Sequence, residues 1–263
     1  MTTYKNKVLS LGGGTNIPGK THLGNQVNTM IEPGKPIGYF YGYKMDGVFQ
    51  TQEEINNYRG GPDNTIIMPT AEPGDLKFVD LNGDGKLGEE DRTMIGNPHP
   101  DFTFGLTLSG EYKGFDLSMF FQGSVGNDIL NILKYDIYSG TGWYNAPKDI
   151  FDKFWTGPGS TNENFAISAN SRDNLTMSEW YIENGSYVRL KNVTLGYTFP
   201  KQWVQKLTVQ NLRLFVAAQN LFTITSYSGL DPELGNSNPA FMGIDMGWYP
   251  QARSFMVGLS LKL

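Results

Sequence analysis

Large apolar side chains alternate with small or polar ones in several stretches of this chain, and this period of two limits the fold more than any other feature. Residues 254–263 show it most clearly, because every second side chain is apolar (Phe255, Val257, Leu259, Leu261 and Leu263). Successive side chains of a β-strand point to opposite faces of a sheet, so such a segment presents one apolar and one polar face. The pattern predicts an all-β chain.

Four earlier segments have the same pattern, which predicts a sheet of antiparallel strands. They are Phe102–Ser109, Phe115–Gln122, Val193–Phe199 and Leu212–Gln219. Short turns at Gly110–Gly114 and Pro200–Val209 alternate with the long segments Gly123–Thr176 and Leu221–Gly247. Hairpin arms of about ten residues are long enough to cross a membrane at a tilt, and outer-membrane barrels combine short periplasmic turns with long extracellular loops.

The apolar strand faces leave two architectures open. In water, such a face must be covered by a second sheet, as in a β-sandwich. In a membrane barrel it faces lipid, and the polar face lines the lumen. Tyr112, Tyr197 and Phe199 lie near predicted strand ends and fit an aromatic girdle at the membrane interface, although edge packing explains isolated aromatic residues equally well.

Composition narrows the function classes. The 263 residues include 32 glycines, with 13% aromatic and only 18% charged residues, which is typical of extended structure with many turns. A net charge of −5 and the lack of a basic cluster argue against a nucleic-acid partner. The absence of cysteine excludes disulfides and thiol catalysis. No apolar run is long enough for a spanning helix, and we expect no signal peptide after Met1.

Catalytic motifs are not recognisable in the sequence. His22 and His99 lie in predicted loops without a partner motif, and no HExxH, GxSxG or P-loop pattern occurs. A hydrolase with paired carboxylates stays open, because sequence does not report the distances between scattered acidic residues. We predict that the chain is not an enzyme.

The acidic stretch around residue 85 has the oxygen spacing of a calcium-binding loop. A calcium loop takes side-chain oxygens at positions 1, 3 and 5, a backbone carbonyl at 7 and a carboxylate at 12, with glycine at 6. The residues at the five ligand positions are Asp80, Asn82, Asp84, Lys86 (through its carbonyl) and Asp91. Gly85 occupies position 6, so the sequence predicts a Ca²⁺ site here.

A metal-free interpretation stands beside the calcium site. Asn82-Gly83 and Asp84-Gly85 are common tight-turn dipeptides, and a solvated acidic turn needs no metal. Asp91 replaces the bidentate Glu of strong calcium loops, which predicts a lower affinity. Only one helical turn, Glu89–Met94, fits before Gly96, so a paired EF-hand is excluded.

Local signals outside the strands are fewer. Short helices are predicted at Thr51–Tyr58, with Thr51 as the N-cap, and at Ala146–Phe154, and the end of a strand is predicted at Tyr4–Leu11. Three rings in the longest loop are candidates for stacking on a sugar substrate: Trp143, Tyr144 and Trp155. The alternative is that these rings form the small core of the loop itself.

Six long motifs occur in an order that resembles a known family. They are GKPIGYFYGYKMDGVFQ (34–50), PGDLKFVDLNGDGKLGEEDRTMIGNPHPDFTFGL (73–106), YKGFDLSMFFQGSVGN (112–127), YIENGSYVRLKNVTLGYTFP (181–200), QNLFTITSYSGLDPE (219–233) and YPQARSFMVGLSLKL (249–263). Together they resemble the carboxy-terminal part of SusC/RagA-type TonB-linked outer-membrane transporters.

The resemblance implies a fold, a location and partners. Residues 1–263 would be the carboxy-terminal part of a transmembrane β-barrel of about 22 strands with long extracellular loops. The family implies location in the outer membrane, coupling to TonB and a SusD-like surface lipoprotein as partner, and it implies import of oligosaccharides or peptides. We expect the plug, the TonB box and the signal peptide to lie outside this sequence. A soluble, calcium-binding, carbohydrate-binding β-sandwich is the alternative function.

Overall fold

The computed structural model describes residues 1–20, 26–138, 145–167, 173–204, 209–235 and 238–262. The strands are β1 (Thr2–Thr3), β2 (Ile17–Lys20), β3 (Val27–Ile31), β4 (Tyr39–Tyr43), β5 (Met45–Val48), β6 (Arg59–Gly60), β7 (Thr65–Ile66), β8 (Leu76–Phe78), β9 (Arg92–Gly96), β10 (Phe102–Tyr112), β11 (Phe115–Val125), β12 (Asp128–Asn131), β13 (Ile182–Asn184), β14 (Tyr187–Thr198), β15 (Asn211–Thr225), β16 (Ile244–Asp245) and β17 (Ser254–Lys262). The helices are α1 (Gln52–Asn57), α2 (Leu133–Tyr138), α3 (Ile150–Lys153) and α4 (Lys201–Val204). Among the described residues, no helix is both long and apolar enough to cross a membrane.

The long strands form one six-stranded sheet in the order β1-β10-β11-β14-β15-β17, and neighbouring strands are antiparallel throughout. The five segments with a period of two lie in this sheet, apart from Phe199, which follows β14, and Leu263, which is outside the described residues. Those strand predictions are confirmed. The hairpin turn is tighter than predicted, because β10 and β11 continue to Tyr112 and from Phe115. Only Lys113 and Gly114 remain in the turn, both at positive φ (47° and 86°), as a tight β-hairpin turn requires.

Strand register joins the apolar residues into one continuous face. Leu117 on β11 pairs with Leu195 on β14, Leu195 pairs with Val216 on β15, and Val216 pairs with Val257 on β17. Each of these four side chains is exposed, from 38% for Leu117 to 74% for Val257. In the described ranges no second sheet covers this face, which is the arrangement of a barrel wall rather than of a sandwich.

The opposite face of the sheet carries small residues, rings and ion pairs, among them a pair that links β11 to β15. Arg213 on β15 donates from Nε to Oδ1 of Asp116 on β11 over 2.9 Å, across the intervening strand β14. Gly196 on β14 lies beneath this pair, and a Cβ there would come within 2.4 Å of both side chains. The ring of Phe215 covers Gly258 on β17 in the same way. This face therefore depends on glycine at specific positions.

The other strands form small sheets in the segments that enter and leave one end of the large sheet, the end marked by Phe102 and Val125. Their orders are β2-β3-β4-β9, β13-β12-β16, β5-β8 and β6-β7. One apolar core fills this loop region, and its largest fully buried side chains include Tyr181, Phe40, Phe49 and Phe78. The aromatic segment 34–50 supplies Phe40, Tyr43 and Phe49 to this core.

Three local predictions differ from the structure. Tyr4–Leu11 is not a strand, because the edge strand β1 ends at Thr3. The helix predicted over Ala146–Phe154 shortens to α3, since Phe154 turns extended and joins the buried core. The helical turn predicted over Glu89–Met94 is a 3₁₀ turn of Glu89–Asp91, and β9 starts at Arg92. Helix α1 and its Thr51 N-cap, whose side chain accepts from Glu54 N, are confirmed.

Candidate functional sites in the loop region

The predicted calcium loop is closed by hydrogen bonds from backbone N–H groups to carboxylate and amide oxygens. Asp80 accepts from Gly83 N at 2.7 Å and from Gly85 N at 2.8 Å. Asn82 accepts from Asp84 N, and Asp84 accepts from Lys86 N, so each side chain caps the backbone two residues ahead. The loop is a chain of consecutive Asx turns.

Asp91 holds both ends of this loop by accepting hydrogen bonds from the backbone. It is fully buried, its Oδ1 accepts from Leu81 N (2.8 Å) and Asn82 N (3.2 Å), and its Oδ2 accepts from Gly88 N (2.7 Å). Three backbone donors thus converge on one carboxylate, a strong arrangement because hydrogen bonds to a charged acceptor are stronger than neutral ones. Sequence spacing placed Asp91 in the loop but did not reveal this role.

The turn of the loop packs against the small hairpin of β6 and β7. Gly85 has φ +84°, and a Cβ at this position would lie 2.4 Å from the carbonyl oxygen of Gly60. Thr65 donates from its hydroxyl to the carbonyl of Gly85 at 2.8 Å. Glycine at position 6 is therefore required both by the backbone conformation and by the close approach of the neighbouring strand.

The predicted calcium ligands have the oxygen donors that a hard cation prefers, although their side chains do not converge on one point. The set offers carboxylate, amide and carbonyl oxygens, and the carboxylate oxygens of Asp80 and Asp84 keep lone pairs beyond those that accept N–H groups. Within the part of the chain that the structure describes, no group of three His, Asp or Glu side chains is arranged to hold a metal ion. The calcium site stays a prediction.

An arginine that the sequence analysis missed connects the loop to the neighbouring sheet. The guanidinium of Arg92 lies 4.9 Å from the ring centre of Tyr41 and 5.6 Å from that of Tyr43. Its Nη1 pairs with Glu89 at 3.2 Å, and its Nη2 donates to the carbonyl of Val27 on β3. A single arginine at a strand start carries no sequence signature of this role.

The predicted substrate-stacking residues divide into described and undescribed positions. Trp143 and Tyr144 lie outside the described residues. Trp155 is half-buried, donates from Nε1 to Gln50 at 3.2 Å, and packs over Gly74, where a Cβ would lie 2.7 Å from the indole. It also contacts the apolar core. These contacts suit the alternative of a loop core, and the substrate role of all three rings stays a prediction.

A cleft of about 200 Å³ beside the buried Trp180 was not anticipated. Lys134 lies 4.3 Å from the centre of the Trp180 ring and 3.4 Å from Glu183, while Tyr138 donates to Asp149 at 3.0 Å. Burial lowers the pKa of Lys134 more than the attraction of Glu183 raises it. Burial together with the hydrogen bond to Asp149 raises the pKa of Tyr138 to about 12. The polar groups around this cleft are thus largely paired with one another.

Comparison with known proteins assigns the chain to a family. TonB-dependent receptors P3 and P26 of Formosa agariphila are 37% and 30% identical to it over 98% and 99% of its length. TonB-dependent receptor SusC of Bacteroides thetaiotaomicron is 28% identical over the whole chain. The chain spans only 26%, 26% and 24% of these proteins.

Solved structures show the same fold. The RagAB peptide importer in its open-open state superposes with a TM-score of 0.68 at 20% identity, over 98% of this chain and 25% of the matched chain. The structure of the RagAB peptide transporter gives a TM-score of 0.70 at 20% identity. No family model matches the sequence. The near-complete alignments and the open sheet agree with the resemblance of the six motifs, and the chain belongs to the SusC/RagA family of TonB-dependent receptors.

Proposed function

We propose that this chain forms part of the barrel wall of an outer-membrane transporter that is energised through TonB. The observation that carries the proposal is the continuous exposed apolar face of the large sheet, built from in-register residues of β11, β14, β15 and β17. Such a face is stable against lipid, and the opposite face, with its glycines and its ion pairs, suits a water-filled lumen. The kinship with TonB-dependent receptors supports the same role.

The proposed cargo is an oligosaccharide or a peptide, delivered with the help of a SusD-like surface lipoprotein. Two observations support this pair of alternatives: the curated relative named SusC, and structural neighbours described as a peptide importer. TonB itself would contact parts of the protein outside this sequence. We propose a transport role rather than an enzymatic one, since the relatives are named as receptors.

The soluble β-sandwich is the weaker proposal. It requires a second sheet over the apolar face, and the described residues place none there. A cheap observation separates the two. If the chain stays monomeric in buffer without detergent, the β-sandwich is supported. If it needs detergent to stay in solution, a role in the barrel wall is supported.

Paired substitutions on adjacent residues test the wall directly. Leu195 lies on the apolar face of β14 and Thr194 on the opposite face. In the full-length transporter we expect Leu195→Arg to abolish outer-membrane assembly, because an arginine facing the bilayer centre costs about 2–4 kcal/mol. Thr194→Arg should assemble, because its side chain faces the lumen. Equal assembly of both variants, measured by heat-modifiable migration on gels, would show that the face does not meet lipid.

The transport role needs a separate experiment. Cells that lack the segment encoding these residues should lose uptake of either labelled oligosaccharides or labelled peptides, and loss of TonB should reproduce the defect. The SusD-like lipoprotein should co-purify with the intact transporter. Unchanged uptake of both substrate pools in the deletion strain would overturn the proposal. We also expect the isolated 263-residue chain not to form a stable, protease-resistant monomer in detergent, since its sheet has two open edges.

We further propose that Ca²⁺ binds the loop from Asp80 to Asp91 in a structural role. Oxygens of Asp80, Asn82, Asp84 and Asp91 and the carbonyl of Lys86 would hold the ion, which would cross-link a loop that backbone hydrogen bonds already preform. Calcium should raise the melting temperature of the full-length transporter but not that of its Asp80→Ala or Asp84→Ala variant.

The control for this titration is Asp63→Ala, which removes an exposed acid from the neighbouring hairpin turn. It should keep the full response to calcium. If the parent itself shows no response, the loop is an acidic turn without metal.

Substrate stacking by Trp143, Tyr144 and Trp155 is likewise a proposal. Its support is their clustering in the longest loop of the sequence. Alanine at all three positions of the full-length transporter should reduce uptake without reducing assembly. Unchanged uptake would leave these rings as packing residues.

A further inference from the structure

Three of the family motifs meet at one buried carboxylate. Asp231, from the motif that ends in LDPE, accepts at Oδ1 from Nη2 of Arg189 at 2.6 Å and from Glu233 N at 2.9 Å. Its Oδ2 accepts from Gln251 N at 2.9 Å. Arg189 belongs to the motif that opens β14, and Gln251 to the motif that leads into β17. The proposed transport function uses none of these contacts.

The arginine end of this network is rigid. Arg189 is 3% exposed on the polar face of β14, and its guanidinium also donates to Thr223 Oγ1 (2.8 Å) and pairs with Glu233 (2.7 Å). Lys191 holds the same Glu233 at 2.8 Å. A buried guanidinium with three side-chain acceptors has little freedom, so Asp231 is held in a fixed position relative to β14 and β15.

The other end of the network fixes the chain just before β17. Gln251 N is held by Asp231, and the next carbonyl, that of Ala252, accepts from Nδ2 of Asn220 at 3.0 Å. In the described residues β17 pairs only with β15. These two hydrogen bonds hold the chain at Gln251 and Ala252, which lie three and two residues before Ser254, the first residue of β17.

The pairing of β17 needs such an anchor. A slip of one residue would turn its apolar face inward and is strongly disfavoured, whereas a slip of two residues keeps every side chain on its own face. The alternating sequence of β17 does not exclude that second error. A fixed point outside the strand does, because it sets the distance from β14 to the first paired residue.

We infer that Asp231, held by Arg189, is a positioning residue that sets the register of β17 on β15. The inference concerns the fold and does not depend on what the transporter carries, so the two can fail separately. It assigns a structural purpose to Leu230–Glu233 and to Tyr249–Arg253, which both lie in the segment between β15 and β17.

Disulfide trapping measures register directly, because the chain has no cysteine of its own. In the native register Gln219 faces Ser254, and after a slip of two residues it would face Met256. Direct cross-strand partners lie within disulfide reach, while residues two positions further along lie beyond it. The double variants Gln219→Cys/Ser254→Cys and Gln219→Cys/Met256→Cys therefore report the two registers. They are placed in the full-length transporter, with any other cysteine replaced, and oxidised after assembly in the outer membrane.

The native pair should dominate in the parent chain. In Asp231→Asn, and separately in Arg189→Met, the ratio of native to slipped disulfide should fall by at least roughly tenfold, since a lost hydrogen bond to a charged group changes an equilibrium by about that factor or more. The matched control is Asp116→Asn, which breaks the ion pair with Arg213 in the same sheet. That pair makes no contact with residues 251 and 252, which precede β17. It should keep the parent ratio.

Three outcomes would overturn the inference. The parent chain could show no preference for the native pair, the Asp231 and Arg189 variants could keep the parent ratio, or Asp116→Asn could lower the ratio as much as they do. The last result would show that any lost ion pair loosens the sheet.

Discussion

Replacing Asp91 by alanine separates the backbone role of the acidic loop from its proposed metal role. The substitution leaves the N–H groups of Leu81, Asn82 and Gly88 without their acceptor. A hydrogen bond to a charged group contributes about 1.5–3 kcal/mol, and three that share one acceptor do not add fully. We therefore expect a local loss of about 3 kcal/mol, even in a chelating buffer without calcium.

Amide hydrogen exchange is the suitable assay, because it reports local opening rather than global unfolding. The amides of Leu81, Asn82 and Gly88 should exchange roughly a hundredfold faster in Asp91→Ala, since each 1.4 kcal/mol is a factor of ten. Glu90→Ala is the control, because it removes the same charge from an exposed neighbour. Exchange rates within about threefold of the parent would refute the reasoning. If exchange became faster only in the presence of calcium, the main role of Asp91 would be that of a metal ligand.

Three further predictions concern the wall and its anchors. Gly196→Val should destabilise the sheet by about 1–3 kcal/mol in thermal melts, because its side chain would displace the Asp116–Arg213 pair; a neutral result would mean that the pair moves aside freely. Burial alone would raise the pKa of Asp231, but the hydrogen bonds from Arg189 and the two backbone N–H groups outweigh it and lower the pKa. The register preference of β17 should therefore hold at neutral pH and be lost only as the pH falls below the ordinary Asp value of about 4; a loss already at pH 6 would contradict this. Burial raises the pKa of Asp128, so the charged carboxylate is less favourable in the folded protein than in the unfolded chain. Asp128→Asn should therefore leave the free energy of unfolding at pH 7 unchanged or raise it. A large loss of stability at that pH would show that the charge of Asp128 is needed.

The strands were predictable because their signal is local. Alternation over seven or more residues located every long strand, but it did not locate the full lengths of β14 and β15. The register shifts between Leu190 and Asn192, and Asn220 adopts a positive φ of 50° in the facing strand. In β14 the apolar residues Val188 and Leu190 are out of step with Val193 and Leu195 on the other side of this bulge. In β15 the polar Asn220 interrupts the alternation, so in both strands the sequence pattern ends before the strand does.

The loop region was less predictable because its structure is held by contacts distant in sequence. β12 pairs in parallel with β16, so that Leu130 lies beside Ile244. Two-residue strands of this kind have no periodicity to detect. The acidic loop is the exception, since its oxygen spacing is a local pattern. Arg92 and Arg189 were missed because a lone arginine looks the same in sequence whether it is buried and paired or exposed.

Buried or half-buried carboxylates that accept backbone N–H groups recur through the loop region. Asp245 accepts from Gly247 N and Trp248 N, Asp128 from Asn97 N, and Asp91 and Asp231 act in the same way. Irregular segments leave backbone donors without sheet or helix partners, and a carboxylate satisfies two or three of them at once. Acidic residues in this chain therefore do not in themselves indicate a metal or a basic partner. The distinguishing mark of a ligand site here is an oxygen that the backbone leaves free. By that measure Asp84, which accepts a backbone N–H only at Oδ1, differs from Asp80 and Asp91, which accept backbone N–H groups at both oxygens.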